Sequence, residues 1–301
     1  MRAVVTGGAG FIGSHVVDAL LARWDEVHVL DDFSRGKRQN VPEGVHVHEA
    51  DIRSDARRVF DDVRPEVCFH LAAQADVRVS VERPDFDAEV NVVGTLHVLE
   101  AAREHGTKMV FSSTGGAIYG ECEGPAREDH PRAPLAPYGV SKLAGEEYIA
   151  AYNRLYSAAH VSLRYGNVYG PRQDPKGEAG VVAIFMNRLR EGEAPKIFGD
   201  GTQTRDYVYV GDVVAATLAA AEHVGGVLNV GTGVETSVLE LYERIQRIAG
   251  VERAPEFGDA RPGELQRSVL DASLAKRELG WQPQRSLDEG LAETWGWISS
   301  R

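Results

Sequence analysis

Thr6-Gly7-Gly8-Ala9-Gly10-Phe11-Ile12-Gly13-Ser14 follows a short apolar run and opens a stretch of helical periodicity. It reads as G-x-G-x-x-G from Gly8 or as G-x-x-G-x-x-G from Gly7, and both readings share Gly10 and Gly13. At a strand-turn-helix junction glycine lets the chain turn tightly, lets a pyrophosphate approach the backbone, and lets the helix pack against the sheet; the phosphates then meet the helix N-terminus. Outward from this turn, valine-rich runs at 3–6, 26–30, 45–49, 66–71, 108–112 and 161–165 alternate with helix-period stretches, and one more run at 227–230 is expected to join them. Runs apolar on both faces suit a parallel sheet covered on both sides, so the expected class is α/β with a doubly wound parallel sheet.

The chain has 301 residues, of which 33 are basic and 45 acidic, a net charge of −12. An acidic chain repels phosphate backbones, so nucleic acid is excluded as a partner and any anionic ligand must be held locally by helix N-termini and placed arginines. Only six of the basic residues are lysines, whereas glycines number 32. Cys68 and Cys122 have no partner spacing, which fits reduced thiols and no disulfide framework. No signal peptide and no membrane span is read, so a cytoplasmic protein is expected. His46 and His48 share one face of a strand, but no third ligand stands near them in sequence, and no metal site is expected. Gly- and Pro-rich texture from 165 to 205 reads as loops over a ligand. Helices are expected at 210–222, 238–249, 273–279 and 287–298, the third closed by Gly280. The expected organisation is a dinucleotide-binding unit over 1–170, with 206–232 returning to it, and a smaller interleaved C-terminal lobe of 171–205 and 233–301 that binds substrate.

Asp31 closes the second apolar run, 18 positions after Gly13. A carboxylate there accepts hydrogen bonds from a ribose and repels a 2′-phosphate, which favours NAD over NADP; a turn residue is the plain alternative, and Arg35 nearby tempers the choice. Asp51-Ile52 ends the third run, where an adenine edge could be contacted. Tyr138 and Lys142 stand four apart on one helical face. A tyrosine titrates near pKa 10, and a neighbouring ammonium favours its phenolate, a usable general base; alone, such a pair is an ordinary solvated helix face. Ser112-Ser113-Thr114-Gly115-Gly116 puts hydroxyls at the carboxyl end of a strand, where open α/β sheets bind ligands.

With these residues the chain resembles the extended short-chain dehydrogenase/reductases, and within them the nucleotide-sugar 4-epimerases of the UDP-glucose 4-epimerase type. The matched blocks, in order, are Thr6 to Ser14, Asp31-Asp32, His70 to Gln74, Asn91 to Thr95, Ser112 to Gly120, Tyr138 to Lys142, Leu163 to Gly170, Arg205-Asp206-Tyr207 and Arg261 to Glu264. The resemblance implies a Rossmann sheet holding NAD on Gly7, Gly10, Phe11, Ile12, Gly13, Asp31, Asp32, Phe33, Ser34, Arg35, Gly36, Asp51, Ile52, Leu71, Ala72, Ala73, Gln74, Asn91, Tyr138 and Lys142. It implies Tyr138 as base, Lys142 as its partner and Thr114 as the catalytic hydroxyl, with Ser113 a rival because the block is one residue longer than usual. For the substrate it implies Thr114, Asn167, Val181, the diphosphate clamps Arg205 and Arg261, the ribose ligand Glu264, and Ser268.

Related dehydratases and decarboxylases add a carboxylate after the strand-five threonine, whereas Gly115 and Gly116 stand here, which favours redox-neutral epimerisation. The implied reaction oxidises C4′ of UDP-glucose or UDP-galactose transiently and returns the hydride to the opposite face. Ser268 stands where a bulky residue restricts relatives to plain hexoses, so UDP-GlcNAc and UDP-GalNAc are further expected substrates. A UDP-glucuronate 4-epimerase, a dTDP-hexose 4,6-dehydratase and a non-catalytic NAD-sensing regulator are the alternatives. The resemblance also implies a homodimer joined by helices around 84–104 and 138–156.

Overall fold

The structure, a computed structural model, describes residues 1–23, 25–175, 180–260 and 265–301. In chain order its strands are β1 (Arg2–Thr6), β2 (Glu26–Asp31), β3 (His46–Glu49), β4 (Val67–His70), β5 (Lys108–Thr114), β6 (Val161–Tyr165), β7 (Asn167–Tyr169), β8 (Lys196–Phe198), β9 (Thr204–Tyr209), β10 (Val227–Val230), β11 (Glu235–Ser237), β12 (Glu256–Gly258) and β13 (Arg267–Ser268). Seven of them form one parallel sheet in the order β10-β6-β5-β4-β1-β2-β3. The order reverses between β1 and β4, and in sheets of this kind the crevice at the reversal is where ligands bind.

Alternate residues of the buried strands face two separate cores. Ala3 and Val5 of β1 pack with Val27, Val29 and Phe69 beneath the helices Phe11–Ala22 and Val210–Ala220. Val4, with Leu30, Cys68 and Phe111, faces the helices Ala56–Val63, Thr95–His105 and Pro137–Tyr156. This is why the runs read as continuously apolar: neither face of the central strands meets water.

A third core, around Phe185, Met186, Tyr242, Ile245 and Leu291, belongs to the smaller lobe. There β9 is flanked by β11 and β13, with β7 also paired to β9. The stretch read from its Gly and Pro content as loops holds β7, the helix Val181–Arg190 and β8 instead. The apolar side of that helix, Val182, Phe185, Met186 and Leu189, is buried in this core, and burial there outweighs the turn signals around it. Asp206 ties the lobe to the sheet: its buried carboxylate accepts hydrogen bonds from the backbone of Thr232, Gly233 and Leu270 at 2.8, 3.0 and 3.2 Å. Among the described residues no helix is long and apolar enough to cross a membrane.

Candidate active site

Two adjoining cavities, of about 550 and 570 Å³, lie at the carboxyl ends of the sheet strands and share Gly7, Gly10, Phe11, Leu71, Ala73 and Ala75. At their junction Gly7 has φ +68°, a conformation that L side chains rarely adopt. A Cβ on Gly13 would stand 2.1 Å from the Gly7 carbonyl oxygen, so the turn and the first helix can close on each other only without side chains. The floor beneath is stiff. His70 hydrogen-bonds Thr6 and Thr95 at 2.6 and 3.0 Å, the Thr6 hydroxyl accepts from the Ala72 N–H, and burial pushes the His70 imidazole down to about 3, which keeps it neutral.

The nucleotide end of the groove is lined by Asp31, Asp32, Ser34, Arg35, Gly36, Asp51, Ile52, Ala72 and Gln74. Asp31 is 6% exposed and accepts backbone N–H bonds from Ala9 and Phe33, one on each oxygen, both 2.9 Å. Each oxygen keeps a lone pair for a ribose hydroxyl. Burial raises its pKa, and the two backbone donors partly offset this. Asp51 is already gripped by the Arg53 guanidinium at 2.6–3.0 Å, which holds its carboxyl below the usual range. Two expected cofactor residues do not line either cavity. Phe33, at φ +56°, has its ring against the Arg38 guanidinium, and Asn91, buried in a π-helical turn from Glu89 to Gly94, spends its amide on Gln74, Asp87 and Ser141. Asn91 therefore shapes the Gln74 loop from behind rather than touching the groove.

Gly7, Gly10, Phe11, Ile12, Gly13, Leu71 and Ala73 continue into the other cavity, where they meet Thr114, Tyr138 and Lys142. The helix Pro137–Tyr156 carries Tyr138 and Lys142 one turn apart. Lys142 is buried, donates to the Ser112 carbonyl at 2.8 Å, and has its pKa lowered to about 8 by burial, against the opposing charges of Asp87 and Glu146. Ser113 and Thr114 alternate across β5. Ser113 is buried and donates to Glu146, whose carboxylate also receives Arg164 Nε and Nη2, the latter at 2.6 Å. Ser113 and Thr114 both line the cavity, but the Ser113 hydroxyl is committed to Glu146 of a buried ion pair. Arg164 further donates to Tyr119 at 2.7 Å, and burial pushes the Tyr119 phenol up to about 12, so that tyrosine stays a neutral part of the same network.

A side chain on Gly115 would run into Leu270, 2.5 Å from its Cδ1. Gly116 is different: a Cβ there would lie 3.6–4.0 Å from Asn167 Oδ1, Ser268 Oγ and Thr114 Oγ1, so these three groups converge on it. Asn167 Oδ1 is buried and accepts no hydrogen bond among the described residues, which leaves an acceptor for a ligand hydroxyl. Val181 and Arg205 line the same cavity, whereas Ser268, 8% exposed, is beside Gly116 and not on the lining. Arg261 and Glu264 fall outside the described residues. Arg188, Lys196, Phe198 and Tyr207 line the same cavity and are not among the site residues read from the sequence. Tyr207 belongs to a matched block and Lys196 is one of only six lysines, whereas Arg188 and Phe198 carry no local signal, since the four come from three separate elements.

The model of the NAD dependent epimerase/dehydratase family matches residues 3–231. UDP-glucose 4-epimerase of Mycolicibacterium smegmatis is 49% identical over 98% of this chain and 97% of its own. A crystal structure of the UDP-glucose 4-epimerase of Thermotoga maritima with UDP-glucose is 46% identical, covers 100% of this chain and 99% of its own, and superposes with a TM-score of 0.97. That of the Thermus thermophilus enzyme in complex with NAD is 48% identical over 99% of both chains, with a TM-score of 0.94. Similarity of this extent, running through the glycine turn, the acidic strand end and the Tyr-Lys helix alike, makes the chain a member of the NAD dependent epimerase/dehydratase family.

Proposed function

We propose that the chain is an NAD-dependent UDP-hexose 4-epimerase that interconverts UDP-glucose and UDP-galactose. The observation that carries this reading is the convergence of Thr114, Tyr138 and Lys142 on one cavity wall beside the glycine turn, with no carboxylate on the residue after Thr114. A side chain at Gly115 would have to displace the Leu270 methyl groups. The relatives named UDP-glucose 4-epimerase, nearly half identical over full length, support the same activity.

NAD, when bound, supplies a hydride acceptor at C4′ and returns the hydride. Gly7, Gly10 and Gly13 leave the backbone open to its pyrophosphate, and Asp31 takes its ribose. Tyr138 removes the 4′-hydroxyl proton and later returns it, and Thr114 orients that hydroxyl. The Lys142 ammonium, its pKa lowered to about 8, stays predominantly charged at neutral pH and favours the Tyr138 phenolate. Arg205 holds the diphosphate, together with Arg261 by resemblance, so the 4-keto sugar can turn about its phosphate linkage and present its other face. Ser268, small and beside Gly116, leaves room for an N-acetyl group, which extends the substrates to UDP-GlcNAc and UDP-GalNAc. The lobe of 171–205 and 233–301 serves the sugar nucleotide and the larger sheet the cofactor.

The working protein is a cytoplasmic homodimer in this reading. Val77, Val81, Val93, Val140, Tyr148, Leu155 and Tyr156 are exposed on neighbouring helices, a concentration of apolar side chains that a second copy would cover. Incubation of the purified protein with UDP-glucose, UDP-GlcNAc and UDP-glucuronate, with no cofactor added and products separated, tests the activity. Formation of UDP-galactose is expected; conversion of UDP-glucuronate alone would overturn the reading. Inertness toward UDP-GlcNAc would remove only the wider substrate range.

A further inference from the structure

The edge of the large sheet carries a side-chain cluster for which the reaction has no use. β2 and β3 run parallel with His28 opposite His46 and Leu30 opposite His48, so Glu26, His28, His46 and His48 all project from one face, beside the helix Ala56–Val63. The His28 ring stacks on His46 with centroids 4.6 Å apart and on His48 at 5.3 Å. His28 Nε2 lies 3.2 Å from Glu26 Oε1, and His28 Nδ1 lies 3.0 Å from His48 Nε2. One ligand atom each of Glu26, His28 and His46 falls within 4.8 Å of the others. His28 is 8% exposed whereas Glu26 and His46 are open to solvent, so the cluster has a buried anchor and an entry side.

We propose that Glu26, His28 and His46 form a binding site for a divalent transition-metal ion of the zinc class, with His48 orienting His28. Two imidazoles and a carboxylate are a donor set for such an ion, with the fourth position left to water, and the two imidazoles disfavour calcium or magnesium. Without an ion His28 Nε2–H donates to the Glu26 carboxylate; an ion would take the place of that proton, and His28 Nδ1–H donating to His48 Nε2 would then hold the ring in orientation. Donor atoms about 3.4 Å apart suit bonds of about 2.1 Å in tetrahedral geometry. Glu26 and His46 are exposed, and to bind an ion Glu26 gives up its 3.2 Å contact with His28 Nε2 and a long one, 3.8 Å, with Arg2. Arg58 and Asp62 face His48 from the packed helix with opposing charges, and the overall −12 draws cations to the surface. Neither Tyr138 nor Asp31 belongs to the cluster, so an ion there clamps the edge strand β3 to β2 instead of entering the chemistry.

The test is titration of Zn²⁺ into the untagged, metal-free full chain, followed by calorimetry and thermal melting, with Co²⁺ as a spectroscopic substitute. One equivalent bound, a higher Tm, and cobalt bands of four-coordinate intensity are expected. His46→Ala and Glu26→Gln, both at exposed positions, should abolish or sharply weaken that binding while UDP-glucose turnover stays at the wild-type level. His48→Gln should weaken it roughly 10–100-fold. No binding at about 100 µM Zn²⁺, or unchanged binding in His46→Ala, overturns the proposal; a turnover loss shared by both exposed variants would also overturn it.

Discussion

Lys142 illustrates what burial does to a single residue. Its ammonium is removed from water, anchored on the Ser112 carbonyl, and left with a pKa near 8, against a usual value above 10. The burial that lowers this pKa also removes the water that would screen the ammonium from a neighbouring phenolate, the role proposed for Tyr138. Tyr138→Phe keeps the ring and the helix but removes the acid-base group, so turnover should fall roughly 10²–10⁴-fold with NAD still bound. Single-turnover rates with UDP-glucose check this, and near-normal turnover would remove Tyr138 from the mechanism. The Tyr-Lys spacing was readable because a helix places i and i+4 together whatever surrounds it. The engagement of Ser113 was not, since its hydroxyl bonds Glu146, which is paired with Arg164, residues 33 and 51 positions further on.

At the scale of elements the glycine turn couples β1 to the first helix. The Gly13 contact with the Gly7 carbonyl has no slack, because the obstructing atom is backbone and Gly7 itself is at positive φ. Gly13→Ala should therefore push the helix N-terminus away from the turn and weaken NAD by at least about tenfold, or about 1.4 kcal/mol. The cofactor retained by the purified variant, compared with the wild type, reads this directly; full retention would show that the turn can shift at no cost. The parallel strands were legible as apolar runs, and β1, β2, β3, β4, β5, β6 and β10 fall where those runs lie. The helix Val181–Arg190 was not legible, because ten residues between glycine- and proline-rich flanks carry little local preference and this helix is held by a core built from distant segments.

For the whole molecule, the exposed apolar residues on Val77–Glu82 and Pro137–Tyr156 define the face assigned to a second copy. Val140→Glu combined with Leu155→Glu places charges on that face without touching Tyr138 or the buried side of the helix. Light scattering should give a doubled mass for the wild type and a single one for the variant; an unchanged dimer would move the interface elsewhere. Sequence by itself determined the alternation of strands and helices, the glycine turn, the acidic strand end and the Tyr-Lys pair, because each is a local pattern with a fixed geometric period. Only tertiary structure showed that the Ser113 hydroxyl is tied to Glu146, that the Asn91 amide is spent on Gln74, Asp87 and Ser141, and that residues from distant elements such as Arg188 and Lys196 join the cavity lining. It also supplied the partners of His46, since a parallel crossover sets residues 18 and 20 apart side by side on one face, a proximity produced by sheet register and not by distance along the chain.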